Sequence, residues 1–97
     1  MDEEKTYLIS YDIPDGRRRT QIADILLSYG YRVQESVFVV EVRGARYLKM
    51  QDAILMILDK RRDSLIICNL GQSKTARRRI SRYGVVPDAG TDNPLIF

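Results

Sequence analysis

The residues best suited to chemistry lie at positions 8–19, LISYDIPDGRRR, where the carboxylate of Asp12 is followed closely by Asp15 and by three consecutive arginines, Arg17, Arg18 and Arg19. Charge of both signs is thereby focused on one short stretch. The chain has no histidine, which removes the commonest general base and the commonest zinc ligand. A single cysteine, Cys68, cannot build a Cys-rich zinc site. Histidine-dependent catalysis is therefore excluded, and any chemistry must use carboxylates, hydroxyls, arginine or a hard metal ion.

The elements that position these residues follow from the pattern around them. Tyr7, Ile9 and Tyr11 alternate with Leu8 and Ser10, the period-2 signature of a strand that ends at Asp12. Pro14 cannot donate to a ladder and Asp15-Gly16 favours a turn, so the strand must break there. A helix follows, with Asp15 as N-cap and an apolar stripe of Ile22, Ala23, Ile25, Leu26 and Tyr29. Arg17, Arg18 and Arg19 then fall in or beside the first helical turn, where cations are unfavourable by roughly 0.3–1 kcal/mol each. Two resolutions are open: a phosphate-like anion bound at the helix N-terminus, or long side chains splayed into water. On spacing alone, the favoured reading of Asp12 is a residue that merely caps a turn.

Gly30 reads as the residue just past the helix C-terminus. Residues 31–42, YRVQESVFVVEV, are rich in β-formers. Their parity slips, with Val33, Val37 and Val39 on one face and Phe38, Val40 and Val42 on the other. The pattern predicts a short strand, a pivot near Glu35 and a longer strand from Ser36 to Val42, with a single bent, bulged strand as the alternative. Arg43-Gly44 marks a turn. Over residues 45–59 the apolar positions Tyr47, Leu48, Met50, Ile54, Leu55, Ile57 and Leu58 predict a second helix, with Met50 and Met56 in or near the core. The run SLIICNL at 64–70 has the composition of a buried central strand, with Cys68 as a small core residue. Residues 71–73 read as a loop. Residues 74–86 fit either a helix or an edge strand, 87–94 are turn-rich, and Leu95, Ile96 and Phe97 need something apolar to dock on.

The order strand, helix, one or two strands, helix, strand predicts an α+β sandwich of the ferredoxin-like type, βαββαβ, with an additional C-terminal strand. The chain of 97 residues makes a single domain over 1–97, and dimerisation would help one so small. The start, MDEEKT, is polar and acidic, no apolar run approaches the roughly 18 residues of a membrane span, and one cysteine fits a reducing cytoplasm. Net charge is only +3, but residues 60–82 carry eight basic side chains against one acid, Asp63, a local charge of +7. Such a segment favours a polyanionic partner through phosphate contacts and counterion release.

Four stretches in register, LISYDIPDG with the arginines to Arg19, YGYRVQESVF at 29–38, DSLIICNL at 63–70 and DNPLIF at 92–97, together resemble the small CRISPR-associated nuclease family that accompanies the integrase in spacer acquisition. The resemblance implies a ferredoxin-like protomer in a homodimer, with residues 74–97 forming a basic C-terminal strand and tail that pack on the partner protomer. It implies a Mg2+ (or Mn2+) phosphodiesterase site on the two-fold axis, where the strand-end aspartate of each subunit, here Asp12, faces its mate. The family's companion residues fall on Tyr11, Arg19, Arg32 and Phe38. Two positions depart from the family: Gln21, where a second basic residue is frequent, and Cys68, where an aromatic is common.

Two functions are implied. In one, a metal-dependent endonuclease cuts RNA or double-stranded DNA, with Asp12 binding metal, Arg19 and Arg32 holding phosphate, and Phe38 shaping the site or stacking on a base. In the other, a non-catalytic dimer bridges integrase subunits and grips duplex DNA through Arg17, Arg18, Arg77, Arg78, Arg79 and Arg82. A generic ferredoxin-like RNA-binding domain fits less well, because the aromatic pair such domains expose on the sheet is not evident.

Overall fold

A computed structural model of the chain describes residues 2–85. The alternating segment forms strand β1 (Lys5–Asp12), with Tyr7, Ile9 and Tyr11 buried on one face and Leu8 and Ser10 half-buried on the other. Helix α1 (Gly16–Leu27) starts where Asp15 caps it, its carboxylate accepting the Arg18 backbone N–H at 2.8 Å. Ile22, Ala23 and Leu26 are buried along α1, and Ile25 and Tyr29 flank them. Gly30 is not a left-handed cap. It opens strand β2 (Gly30–Gln34), and glycine is required because a Cβ there would collide with the Val39 carbonyl oxygen and sit 2.8 Å from the Val40 Cα.

Strand β3 (Val37–Val42) returns after a turn at 35–36, so the pivot near Glu35 is a hairpin rather than a bend within one strand. The parity slip has a direct meaning. Phe38, Val40 and Val42 enter the main core, while Val33 and Val39 form a second cluster on the opposite face with Leu8, Tyr31, Val37 and Ile80.

Helix α2 (Gly44–Ile57) buries a narrower stripe than the composition suggests. Met50 and Ile54 are buried, and Tyr47, stacked on Tyr7 with centroids 4.4 Å apart, and Ile57 continue the line at helical spacing. Leu48 and Leu55 lie beside that stripe and are exposed, and Met56 is 85% exposed rather than near-core.

The sheet order is β2-β3-β1-β4, antiparallel throughout, with α1 and α2 covering one face. Strand β4 (Ser64–Gln72) is therefore an edge strand, not a central one. Leu65 and Ile67 face the helices, whereas Cys68 is exposed rather than core and Ile66 is 57% exposed. An apolar run reads as central when both of its faces are apolar, but here one of those faces is uncovered.

The expected loop at 71–73 is instead the end of β4, with Gly71 at φ +90°, and the start of a one-turn helix α3 (Ser73–Ala76). A 3-10 turn, Arg77–Arg79, follows. The additional C-terminal strand is thus not formed by residues 74–79, which are helical, and residues 80–85 belong to no strand within the described chain. The turn-rich stretch at 87–94 and the apolar residues Leu95, Ile96 and Phe97 lie outside the described residues.

Candidate active site

Asp12 is the last residue of β1 and is exposed at the strand end. The β1–β4 register runs without a break from Tyr7 opposite Asn69 to Asp12 opposite Ser64. Strand parity then separates neighbours. Tyr11 points with Leu65 toward the helices, and Asp12 lies with Ser64 on the opposite face.

The companion residues gather on the helix side. The Tyr11 ring stacks on Phe38 with centroids 5.9 Å apart, and the Arg32 guanidinium sits 5.0 Å from the same ring centroid. Phe38 is fully buried, so it shapes the site from beneath, and no face of its ring is open to a base. Tyr11, Arg19 and Arg32 line a cavity of about 320 Å3 together with Asp24, Glu35 and Ser36. Asp12 is not among its walls. The structure thus joins four of the five expected site residues and places the fifth, the carboxylate, on the other side of the strand.

The three arginines at the start of α1 resolve their conflict with the helix dipole mainly through acceptors of the protein itself. Arg19 donates to the carbonyls of Ile13 at 2.9 Å and Pro14 at 3.4 Å. Arg18 makes a bidentate pair with Asp63, Nε at 2.8 Å and Nη2 at 2.9 Å, and the Asp59 backbone N–H donates to the same carboxylate at 2.9 Å. The Arg18 guanidinium holds the Asp63 carboxyl below the usual carboxylate range, against burial, which acts to raise it. Arg17 remains exposed. Asp63 and Ser64 were not singled out by spacing. The available signal was that Asp63 is the one acid in a basic segment, immediately before a strand.

The C-terminal arginines also differ from one another. Arg77 is committed to Glu41 through Nη2 at 2.7 Å and Nε at 3.2 Å, and this pairing raises its pKa further. The same carboxylate accepts the hydroxyl of fully buried Thr6 at 3.3 Å. Arg79 donates to the Leu70 carbonyl at 2.5 Å, Arg82 is half-buried, and Arg78 is exposed. A larger cavity of about 590 Å3 lies at this opposite end of the sheet, walled by both signs of charge from Glu3, Glu4, Glu41, Arg43, Lys74 and Arg77. It contains none of the five residues expected to do chemistry.

Among the described residues no three His, Cys, Asp or Glu side chains cluster to hold a metal ion. A single exposed carboxylate still suits Mg2+, which commonly uses one or two protein carboxylates and fills its octahedron with waters and phosphate oxygens. No helix among the described residues is long and apolar enough to cross a membrane.

Comparison with known proteins bears on the fold and the family. The family model described as CRISPR associated protein Cas2 matches residues 5–78. CRISPR-associated endoribonuclease Cas2 3 of Rhodospirillum rubrum is 39% identical over 95 residues, covering 93% of this chain and 98% of that protein. The crystal structure of Streptococcus pyogenes Cas2 superposes with a TM-score of 0.72 at 33% identity, covering 81% of this chain and 99% of that one. A chain of a partial Cas6-RT-Cas1–Cas2 complex superposes with a TM-score of 0.67 at 25% identity, covering 96% of this chain and 98% of that one. With the family model matched over residues 5–78 and the ferredoxin-like strand order, this chain belongs to the Cas2 family of CRISPR-associated proteins.

Proposed function

We propose that this chain is a divalent-metal-dependent endonuclease that hydrolyses RNA or double-stranded DNA in CRISPR spacer acquisition, acting in the cytoplasm as a homodimer beside an integrase subunit. The observation that carries this reading is Asp12, an exposed carboxylate at the end of β1 with the Tyr11, Arg19 and Arg32 cavity on the other side of the same strand. One carboxylate per chain makes half of a Mg2+ or Mn2+ site, and a second copy facing it would bring the other. When bound, such an ion supplies Lewis acidity toward water and toward a phosphoryl oxygen. The chain's own contribution is positional. Asp12 holds the cation, while Arg19, anchored through one guanidinium nitrogen to the Ile13 carbonyl, and Arg32, stacked on Phe38, present fixed positive charge for phosphate. Phe38 packs beneath the Arg32 guanidinium, and Tyr11 stacks on Phe38.

Support for the homodimer comes from Ile66 and Cys68, exposed on the face of β4 turned away from the helices, where β4 is an edge strand among the described residues. The test is cleavage of labelled RNA and duplex DNA by purified protein with Mg2+ or Mn2+, comparing wild type with Asp12→Asn. Asp12→Asn is expected to lose activity by two orders of magnitude or more. Equal rates would mean that a contaminating nuclease does the cutting and that this reading is wrong.

The adaptor reading is supported by a different observation, the likeness to a chain of a Cas1–Cas2 assembly together with the exposed guanidiniums of Arg17 and Arg78. Both roles are compatible in one protein. Spacer acquisition that survives Asp12→Asn but not loss of Arg78 would assign the cellular role to the adaptor.

A further inference from the structure

We infer that Ser64 supplies the second protein oxygen of the Asp12 cation site and that the Arg18–Asp63 pair fixes it there; this rests on the metal-dependent reading above. The two residues form the last rung of the β1–β4 ladder. Directly opposed residues of an antiparallel pair have Cβ atoms roughly 4.5–5.5 Å apart on the same face. No register shift intervenes between Tyr7 and Asp12, so the pair shares the face turned away from the helices, and both residues are exposed. Adjacent ligands of an octahedral ion at 2.0–2.1 Å lie roughly 2.9 Å from each other. A serine hydroxyl and an aspartate carboxylate opposed in this way can converge to that separation without backbone movement. A hydroxyl paired with a carboxylate is an established donor set for Mg2+ in phosphoryl-transfer proteins.

The start of a terminal strand normally frays, and here it is tied down. The residue before Ser64 has a carboxylate with 0% of its side chain exposed, gripped at 2.8 and 2.9 Å by Arg18 and at 2.9 Å by the Asp59 N–H. The same pair matches most of the charge of Arg18, whose Nη1 also lies 3.8 Å from the Asp15 carboxylate. Arg18 is thus a positioning residue, and Ser64 is the group that touches the metal. The ladder sets Ser64 directly opposite Asp12, so its hydroxyl is the side-chain oxygen that β4 offers beside the carboxylate.

The test is Mn2+ titration of the full chain by electron paramagnetic resonance, with wild type, Asp12→Asn, Ser64→Ala and Ser64→Thr at equal protein concentration. Ser64→Ala is expected to weaken Mn2+ about tenfold, Ser64→Thr to bind within about threefold of wild type, and Asp12→Asn to lose binding. Normal Mn2+ affinity in Ser64→Ala with binding lost in Asp12→Asn would overturn the role of Ser64 and leave the metal site standing. Equal weakening in Ser64→Ala and Ser64→Thr would also overturn it, since the hydroxyl would then not be the determinant. Unchanged binding in Asp12→Asn would sink the metal-dependent reading itself.

Discussion

Phe38 offers the sharpest separation between a residue that touches substrate and one that only holds the site. Its ring is 0% exposed, stacks on Tyr11 at 5.9 Å and lies under the Arg32 guanidinium at 5.0 Å. Truncating a buried phenylalanine to alanine costs about 3–5 kcal/mol from lost transfer and the cavity left behind. The aromatic pair adds about 0.5–1.5 kcal/mol and the cation–π contact about 0.5–1 kcal/mol, partly counted already in the truncation. A loss near 4 kcal/mol is a large share of the roughly 5–15 kcal/mol that keeps a domain folded. With a urea slope near 2 kcal/mol/M, the Phe38→Ala midpoint should fall by about 2 M at fixed protein concentration. Phe38→Leu keeps most of the volume and should cost only about 1–2 kcal/mol. Cleavage by the folded Phe38→Leu protein is therefore expected within about threefold of wild type, once the unfolded fraction is removed by working far below the midpoint. If Phe38→Leu, held folded well below its own urea midpoint, cleaves more slowly than Arg32→Ala, the ring acts on substrate beyond supporting Arg32 and the reasoning from burial is refuted.

Two further outcomes follow from the ion pairs. Because Arg18 depresses the folded-state pKa of Asp63, the pair stabilises the fold fully above the unfolded carboxylate value of about 3.9 and loses its effect as pH falls through the lower folded value. The stability gap between wild type and Arg18→Met, measured by urea unfolding, should thus be constant from pH 7 to 5 and close below about pH 4. A gap that persists at pH 2 would show that Arg18 acts through packing alone. For duplex binding, Arg78→Ala should lower the slope of log affinity against log salt by about 0.9, one phosphate contact, whereas Arg77→Ala should leave it unchanged because Glu41 already neutralises that guanidinium. Equal slopes for the two variants would contradict this division.

The strand order, the helix N-cap at Asp15 and the two-faced parity of residues 33–42 were legible because each rests on local pattern: a period, a cap residue and a turn. Less legible was whatever depended on which face of an element is covered. SLIICNL is apolar on both faces, and nothing within those seven residues records that β4 ends at the edge of the sheet with Cys68 outside. Leu48, Leu55 and Met56 are apolar neighbours of the true α2 stripe, and only the angle at which α2 lies on the sheet decides that Met50 and Ile54 go inward. Among the site residues, Asp12 and the arginines announced themselves by charge density. Their partners did not, because Asp63 and Glu41 lie 45 and 36 positions away from Arg18 and Arg77.

The parity of β1 has a consequence for how the site must work. Tyr11 and Asp12 are adjacent in the chain, and strand parity sends their side chains to opposite faces at the end of β1. The carboxylate lies on the face turned away from the helices, which carries exposed Ile66 and Cys68 along β4. A second copy that buries this apolar surface would bring its own Asp12 to the same side. Hydrophobic association would then drive the pairing of two like charges that repel, and a divalent cation would remove the repulsion that remains. Dimer affinity should accordingly rise with Mg2+ in wild type and be insensitive to Mg2+ in Asp12→Asn, as read by sedimentation equilibrium. A wild-type dimer whose affinity ignores Mg2+ would place the two carboxylates too far apart to share an ion.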